Sequence, residues 1–561
     1  MAKAKATPLA KGLIGMVVLA GLGTAAWHLG LKDIVNGDEP GTATASGEDG
    51  TTAPEVDTST PLGSATNPIK VSIVSFHGYA PAIVANGNSL TTQPGSIAAG
   101  NDVHIEYVIQ DNIPTLTEIF TSNTAHCAWR TSDFWAQEQP NLRGNDLDGR
   151  AVMIVDNTQG GDAILARDPS IRRVEDLVGK SVALLQYTPS HGMLIDAVEN
   201  SSLTERQKSQ IEYIFINVDE GTAGVRSALE SGAVDAAVLW DPDLSLAVKN
   251  SGAHVIYSTR VATNLIYDVI VCDTRMLNDT ANRGAVQNFV KTWMDGVTAA
   301  KADPENAITA LVETQEFFEL LARDEGRPFV AGLFDNLVWT GLDDNMRILG
   351  LAGGTNHYER VYGRFDRIYR AAGALADPNS PVIPAQDSID TQYIRALMEA
   401  ATPATRQAAQ APQFEFTGAE RDQLAQEVRN EEAAPVVTRP VTVNFATGSS
   451  DLTERSKQTI NNEMVPLVEN HGSAYFEVSG NTDSTGSARA NQALSEQRAN
   501  AVVAFLVEQW EFSRDRFIVR GNGSSSPLCD ESAPEEGMSL EDCRTRNRST
   551  RVAILQRHDS E

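Results

Sequence analysis

Between residues 67 and 400, short β-rich apolar runs alternate with segments of helical periodicity, and this alternation limits most strongly what the chain can fold into. Strands are expected at 69–75, 104–109, 151–155, 181–185, 213–217, 236–239 and 254–257. Helices are expected at 113–121, 192–200, 222–231 and 285–301. Such an order predicts parallel sheets covered by helices, with a ligand held at the carboxyl ends of the strands. The chain has 561 residues. Compact units run to about 150 residues, so further domains are expected outside this region. No internal repeat of fixed period is present.

The flanks have a different composition. Residues 12–31, GLIGMVVLAGLGTAAWHLGL, contain no Asp, Glu, Lys or Arg, and a helix of that length at 1.5 Å per residue just spans a hydrocarbon core. Lys3, Lys5 and Lys11 precede it, which keeps residues 1–11 in the cytoplasm and sends the rest across. A signal peptide cleaved near Gly23-Thr24-Ala25 is the alternative, but the run is long for one, so an uncleaved transmembrane helix is expected. No cysteine follows it closely, which removes a lipoprotein anchor. Residues 32–66 read as a disordered linker, because from residue 36 they lack aromatics and nearly all large aliphatics. Residues 401–440, rich in Ala, Gln and Pro, read as a second linker with one short helix near 419–428. A final domain is expected over 441–558.

The chain holds 45 basic and 74 acidic residues, a net charge of −29, which repels phosphate backbones and argues against a nucleic-acid partner. Cys529 and Cys543 stand 14 apart in a stretch of Asp, Glu, Ser and Pro without metal-ligand spacing, which fits a local disulfide in an oxidising compartment better than zinc. Cys127 and Cys272 are 145 apart, and spacing alone leaves open a long-range bridge or two buried thiols. Gly179-Lys180-Ser181 imitates the end of a phosphate-binding loop, but the glycine required five positions before Gly179 is Val174. Neither G-x-S-x-G nor H-E-x-x-H occurs, and the nine histidines are dispersed. No enzyme, cofactor or metal is expected.

In the middle region, KVSIVSFHGYAPAIVA, CAWRTSDFWAQEQP, GGDAILARDPSIRRVEDLVGKSVALLQYTPSHGMLIDAV and GAVDAAVLWDPDLSLAV follow one another in that order. Together they resemble the periplasmic solute-binding proteins of nitrate, sulfonate and thiamin-precursor ABC transporters. The resemblance implies two α/β lobes joined by crossover strands, with a small ligand in the cleft and a hinge that closes over it. It places Ser75, Gly78 and Tyr79 in the first ligand loop, where small residues let backbone amides approach and Tyr79 supplies an aromatic wall. An ordinary turn with a core tyrosine is the alternative. Thr131 and Asp133 fall in the next ligand loop as hydrogen-bonding groups. Thr188, Ser190 and His191 open a helix whose N-terminus suits an anionic group, with Ser190 as a plain N-cap being the alternative. Trp240 would pack on the ligand and Asp241 could pair with a cation, whereas Arg130 nearby argues the reverse, so ligand charge stays open. The cysteine-rich iron motif of fungal relatives that make the thiamin pyrimidine is absent.

Toward the C-terminus, VTVNFATGSSDLTERSKQTINNEMVPLV and YFEVSGNTD give a β-α-β start. Gly480-Asn481-Thr482-Asp483-Ser484-Thr485-Gly486, then Asn491, then Leu494-Ser495-x-x-Arg498-Ala499, then Val502 follow. They resemble the OmpA-like peptidoglycan-binding motif at its own spacing. The resemblance implies an α+β domain in which Asp483 and Arg498 hold the ammonium and carboxylate of diaminopimelate in the wall peptide. Asn491 would fix the loop or touch the peptide. An intradomain salt bridge is the plain alternative for Asp483 and Arg498. The family's closing arginine motif is imperfect: Arg546 and Arg551 fall in register on the final Arg-Val, or Asn547-Arg548 is the motif's pair shifted by an insertion.

These readings combine into a membrane-anchored periplasmic solute-binding protein tethered to peptidoglycan, capturing a small polar molecule for transport or sensing. The bulk of the chain would lie in the periplasm behind a single pass through the bacterial inner membrane, with an ABC-transporter permease among the candidate partners. The alternative is a structural envelope protein linking inner membrane to wall with a non-binding middle domain. A stator-like channel component is set aside, because residues 12–31 carry no membrane carboxylate.

Overall fold

The computed structural model describes residues 60–112, 122, 124–430, 435–441, 443, 445–446, 448–534 and 537–556. The tail at 1–11, the membrane span at 12–31, most of the linker at 32–66 and the helix at 113–121, all expected above, lie outside the described residues. Among the described residues no helix is long and apolar enough to cross a membrane.

The first strands are β1 (Ile69–Ile73), β2 (Ile105–Ile109), β3 (Cys127–Thr131), β4 (Gly149–Thr158) and β5 (Asp162–Ala166). There follow β6 (Ser181–Leu185), β7 (Glu212–Ile216), β8 (Ala236–Trp240), β9 (His254–Ser258), β10 (Tyr267–Asp273) and β11 (Leu337–Trp339). They form two sheets, ordered β11-β4-β10-β3-β1-β2 and β7-β6-β8-β5-β9. As expected, β1 is parallel to β2 and β3, and β6 is parallel to β7 and β8. β5 and β10, which follow the chain's passages between the sheets, run antiparallel to their neighbours. β4 and β10 are buried almost throughout, which explains their continuous apolar runs in place of alternation.

The chain passes between the two lobes at residues 159–161 and again at 259–266. The helix His357–Ala371 spans both lobes behind the cleft. Tyr362 donates to Gln139 Oε1 at 2.7 Å in one lobe, and Tyr369 donates to the Thr188 carbonyl at 2.8 Å in the other. A disulfide joins Cys127 to Cys272, which stand opposite one another on β3 and β10.

The C-terminal sheet contains β12 (Val437–Val441), β13 (Tyr475–Asn481), β14 (Phe517–Gly523) and β15 (Thr550–Leu555), in the order β12-β15-β13-β14. The helix Ala488–Trp510 lies directly on it. A Cβ on Gly480 would stand 2.0 Å from the Ser495 carbonyl oxygen, and one on Gly521 would stand 2.8 Å from that of Gln492. Only glycine permits this approach.

Residues 401–430, where a linker with one short helix near 419–428 is expected, form the helices Pro403–Gln410 and Gly418–Arg429. Thr402 and Thr417 cap them. Few apolar residues are available there, but those present are well placed: Leu424 and Ala425 are buried with Tyr475, Ile518 and Leu555, and Phe416 meets Tyr475 edge-on at 5.2 Å.

The second passage between the lobes is docked on the C-terminal domain. Asn264 donates its backbone N–H to the Asn470 carbonyl at 3.1 Å and its side-chain amide to that of Glu469 at 2.6 Å. Ser473 Oγ donates to the Arg260 carbonyl at 2.6 Å. His471 Nδ1 lies 2.8 Å from the Leu467 carbonyl, which can only accept, so Nε2 is left to accept from Tyr257 Oη at 2.9 Å.

Candidate functional site

Where the lobes meet, a cavity of about 260 Å³ is walled by both. One lobe contributes Ser75, Trp129, Thr131 and Asp268, the other Asp162, Thr188, Trp240 and Asp241. Phe76, Phe134 and Phe317 add further aromatic faces. Strand ends and the starts of helices supply most of this lining, because backbone groups and side chains there are free of the sheet interior.

Asp268 on β10 stands opposite Asp156 on β4. Its Oδ2 accepts from Tyr79 Oη at 2.8 Å and from Trp129 Nε1 at 2.7 Å. Burial raises its carboxyl to about 7, against the lowering effect of those two hydrogen bonds. Burial also raises Asp241 to about 6, although Ser245 and Asn336 hydrogen-bond it. Asp162 and Asp156 are pushed well above the carboxylate range by burial, with neighbouring carboxylates adding to the effect.

The second site lies on the C-terminal domain. Arg548 Nη1 donates to Asp483 Oδ2 at 2.6 Å, and the Thr485 N–H donates to Oδ1 at 2.9 Å. Burial opposes ionisation of Asp483, but these donors hold its carboxyl below the usual range. Arg498 donates Nε to the Ser449 carbonyl at 3.1 Å and lies 4.9 Å from the centre of the Phe445 ring. Asn491 donates to the carbonyls of Asp483 and Thr485 at 3.3 and 3.1 Å, which closes the loop.

Residues 113–307 match the family model described as NMT1/THI5 like, and residues 444–539 match that of the OmpA family. The chain joins an NMT1/THI5-like domain to an OmpA domain. Among curated relatives, it is 36% identical over 107 residues to outer membrane porin F of Pseudomonas aeruginosa, covering 19% of this chain and 30% of that protein. It is 30% identical over 151 residues to an aliphatic sulfonates-binding protein of Escherichia coli, covering 27% and 44%. It is also 36% identical over 93 residues to the photosystem I P700 chlorophyll a apoprotein A2 of Gloeobacter violaceus, covering 17% and 10%. The chain thus spans less than half the length of each of these relatives. The crystal structure of the periplasmic aliphatic sulphonate-binding protein of Escherichia coli is similar at 16% identity and a TM-score of 0.44, over 57% of this chain and 97% of that one.

Of the ligand-loop residues named from the sequence, Ser75, Thr131, Thr188, Trp240 and Asp241 line the cavity, and Gly78, Tyr79, Asp133, Ser190 and His191 do not. Gly78 packs where a Cβ would stand 2.0 Å from Asp156 Oδ2. Tyr79 is fully buried behind the wall and acts on the cavity only through Asp268. Asp133 is buried at a helix start, where its Oδ2 accepts from Tyr369 at 3.4 Å. Thr188 takes the N-cap position with Pro189 next, which puts Ser190 inside the helix. His191 turns toward Tyr187, Tyr213 and Phe215, and burial lowers its pKa to about 4. Arg130 is fully buried and donates Nη2 to Glu138 Oε1 at 2.9 Å, which removes it from the cavity.

Sequence reasoning missed Asp162 and Asp268. The available signal was a carboxylate interrupting an apolar run, IYDVIV, since such a charge is expensive to bury without a purpose. Arg548, of the Asn547-Arg548 pair that the sequence leaves open beside Arg546, is the arginine that pairs with Asp483. Asn547 is clamped by the backbone of Leu528 and Cys529 and by Glu531, and this turns Arg548 onto Asp483. The Cys529–Cys543 disulfide closes the acidic insertion that builds this clamp.

Proposed function

We propose that the chain is a periplasmic solute-binding protein held to the cell wall, capturing a small polar molecule for transport or sensing. The observation that carries this reading is the cavity walled by two lobes between which the chain passes twice, the arrangement needed for a hinge to close over a ligand. The site residues are Ser75, Thr131, Thr188, Trp240 and Asp241, joined by Asp162, Trp129 and Asp268. Asp483 and Arg498, with Arg548 as a third charge, would receive the diaminopimelate of the wall peptide, giving a carboxylate for its ammonium and guanidinium groups for its carboxylate. Residues 12–31 form the inner-membrane anchor, residues 67–400 the capturing module, and an ABC-transporter permease or a signalling protein is the partner.

Two measurements test the proposal. Calorimetry of the full chain against a metabolite panel, paired with solution scattering, should give a ligand that also reduces the radius of gyration. Sedimentation with purified peptidoglycan should retain the chain. Absence of both ligand and closure would leave the non-binding spacer as the better account.

A further inference from the structure

We infer that the cavity of the NMT1/THI5-like domain takes an organic cation, an ammonium-bearing metabolite held between carboxylates and aromatic faces, and not a sulfonate or other anion. This rests on reading that cavity as the solute site.

Six acidic side chains line it, Asp111, Asp162, Glu220, Asp241, Asp243 and Asp268, and no Lys, Arg or His does so among the described residues. Nearby cations are already engaged: Arg130 is buried against Glu138, and Arg226 Nε meets Asp243 Oδ1 at 2.7 Å. An anion entering this cavity would meet like charge on both lobes without a guanidinium or ammonium to receive it.

A second observation points the same way. Asp268 lines the cavity at 2% exposure, its Oδ2 held by Tyr79 and Trp129, and it forms no ion pair among the described residues. Asp162, at 5% exposure, forms no ion pair among the described residues. A buried carboxylate without a counter-ion is costly, and a cationic donor carried in by the ligand offsets the cost. Trp129, Trp240, Phe76, Phe134 and Phe317 complete the chemistry, since aromatic faces attract cations and suit the alkyl part of an amine. The raised carboxyls of Asp268, Asp241 and Asp162 agree: burial raises each of them, and no neighbouring cation offsets it.

The test uses the full chain and five probes: choline and its neutral isostere 3,3-dimethylbutan-1-ol, 1,4-diaminobutane and neutral 1,4-butanediol, and ethanesulfonate. Calorimetry and tryptophan fluorescence should show binding of at least one cation, with its neutral counterpart weaker by tenfold or more and ethanesulfonate not bound. Asp268→Asn and Asp162→Asn should each weaken the cation tenfold or more. The comparison of charged with neutral probes on the unaltered chain stands even if a variant misfolds. Ethanesulfonate or a neutral probe binding as well as the cations would overturn the inference and leave solute capture intact. A cation bound equally by wild type and both Asn variants would also overturn it. If no probe of either charge binds and the chain never closes, both the inference and the capture reading fall.

Discussion

Burial, with the carboxyls of Asp133, Asp156 and Asp162 close by, raises the Asp268 carboxyl against the hydrogen bonds it accepts from Tyr79 and Trp129. A carboxyl raised from its ordinary 3.8 to about 7 contributes stability that is complete below the lower value and lost as pH rises through the upper one. The urea stability of wild type relative to Asp268→Asn should therefore fall from about pH 4 to about pH 8, and a difference that stays flat over that range would contradict the assignment. At the proposed peptidoglycan site, charge-assisted contacts contribute roughly 1.5 to 3 kcal/mol each. Asp483→Ala and Arg498→Ala should accordingly reduce peptidoglycan retention by about tenfold or more, whereas Arg546→Ala should leave it within about twofold. Arg548→Ala is more informative. It frees Asp483 and removes a charge at once, so a loss equal to that of Arg498→Ala would mark it as a direct contact.

Elements hold these side chains in place, and β10 is the most consequential of them. The Cys127–Cys272 bridge joins directly paired residues of β3 and β10, the strands that carry Trp129 and Asp268. A one-residue slip would turn Asp268 to the opposite face of the sheet, so the bridge guards the register as well as the stability. Replacing both cysteines by serine should cost about 2 to 5 kcal/mol in denaturant unfolding. Gly480→Ala should cost about 1 to 3 kcal/mol by forcing the helix Ala488–Trp510 off its sheet. Much of this was legible beforehand. β6 falls where its apolar run ends, and the helix Arg283–Ala302 follows its periodicity closely. β5 and β10 were not legible, because their direction and neighbours depend on where the chain crosses between lobes, which local pattern does not encode. The helix Gly418–Arg429 was legible near 419–428, but its packing was not: a handful of apolar residues suffices when a finished sheet is already there to receive them. The motif spacing pointed to Asp483 and Arg498, but the arginine facing Asp483 depended on how the disulfide-closed insertion folds back.

At the scale of the molecule, the passage at 259–266 serves two masters. It links the lobes, and through Asn264, Arg260 and the neighbouring Tyr257 it meets residues 469–473 of the OmpA domain. Burial, with Arg364 and Arg516 close by, lowers His471 to about 3, although the Leu467 carbonyl pulls the other way. A base depressed in this way contributes stability that is present above its ordinary 6.5 and lost as pH falls toward the lower value, so the dock should loosen on acidification. Scanning calorimetry of Asn264→Ala at neutral pH should split the melting of the two domains, and a single unchanged transition would show that these bonds do not couple them. Were the OmpA domain held at the wall as proposed, the joint of the cleft would become a stationary pivot. Closure would then swing one jaw against a fixed post, and a membrane partner would meet the same face at the same height on every cycle, sparing it the rotational search that a freely diffusing carrier must repeat.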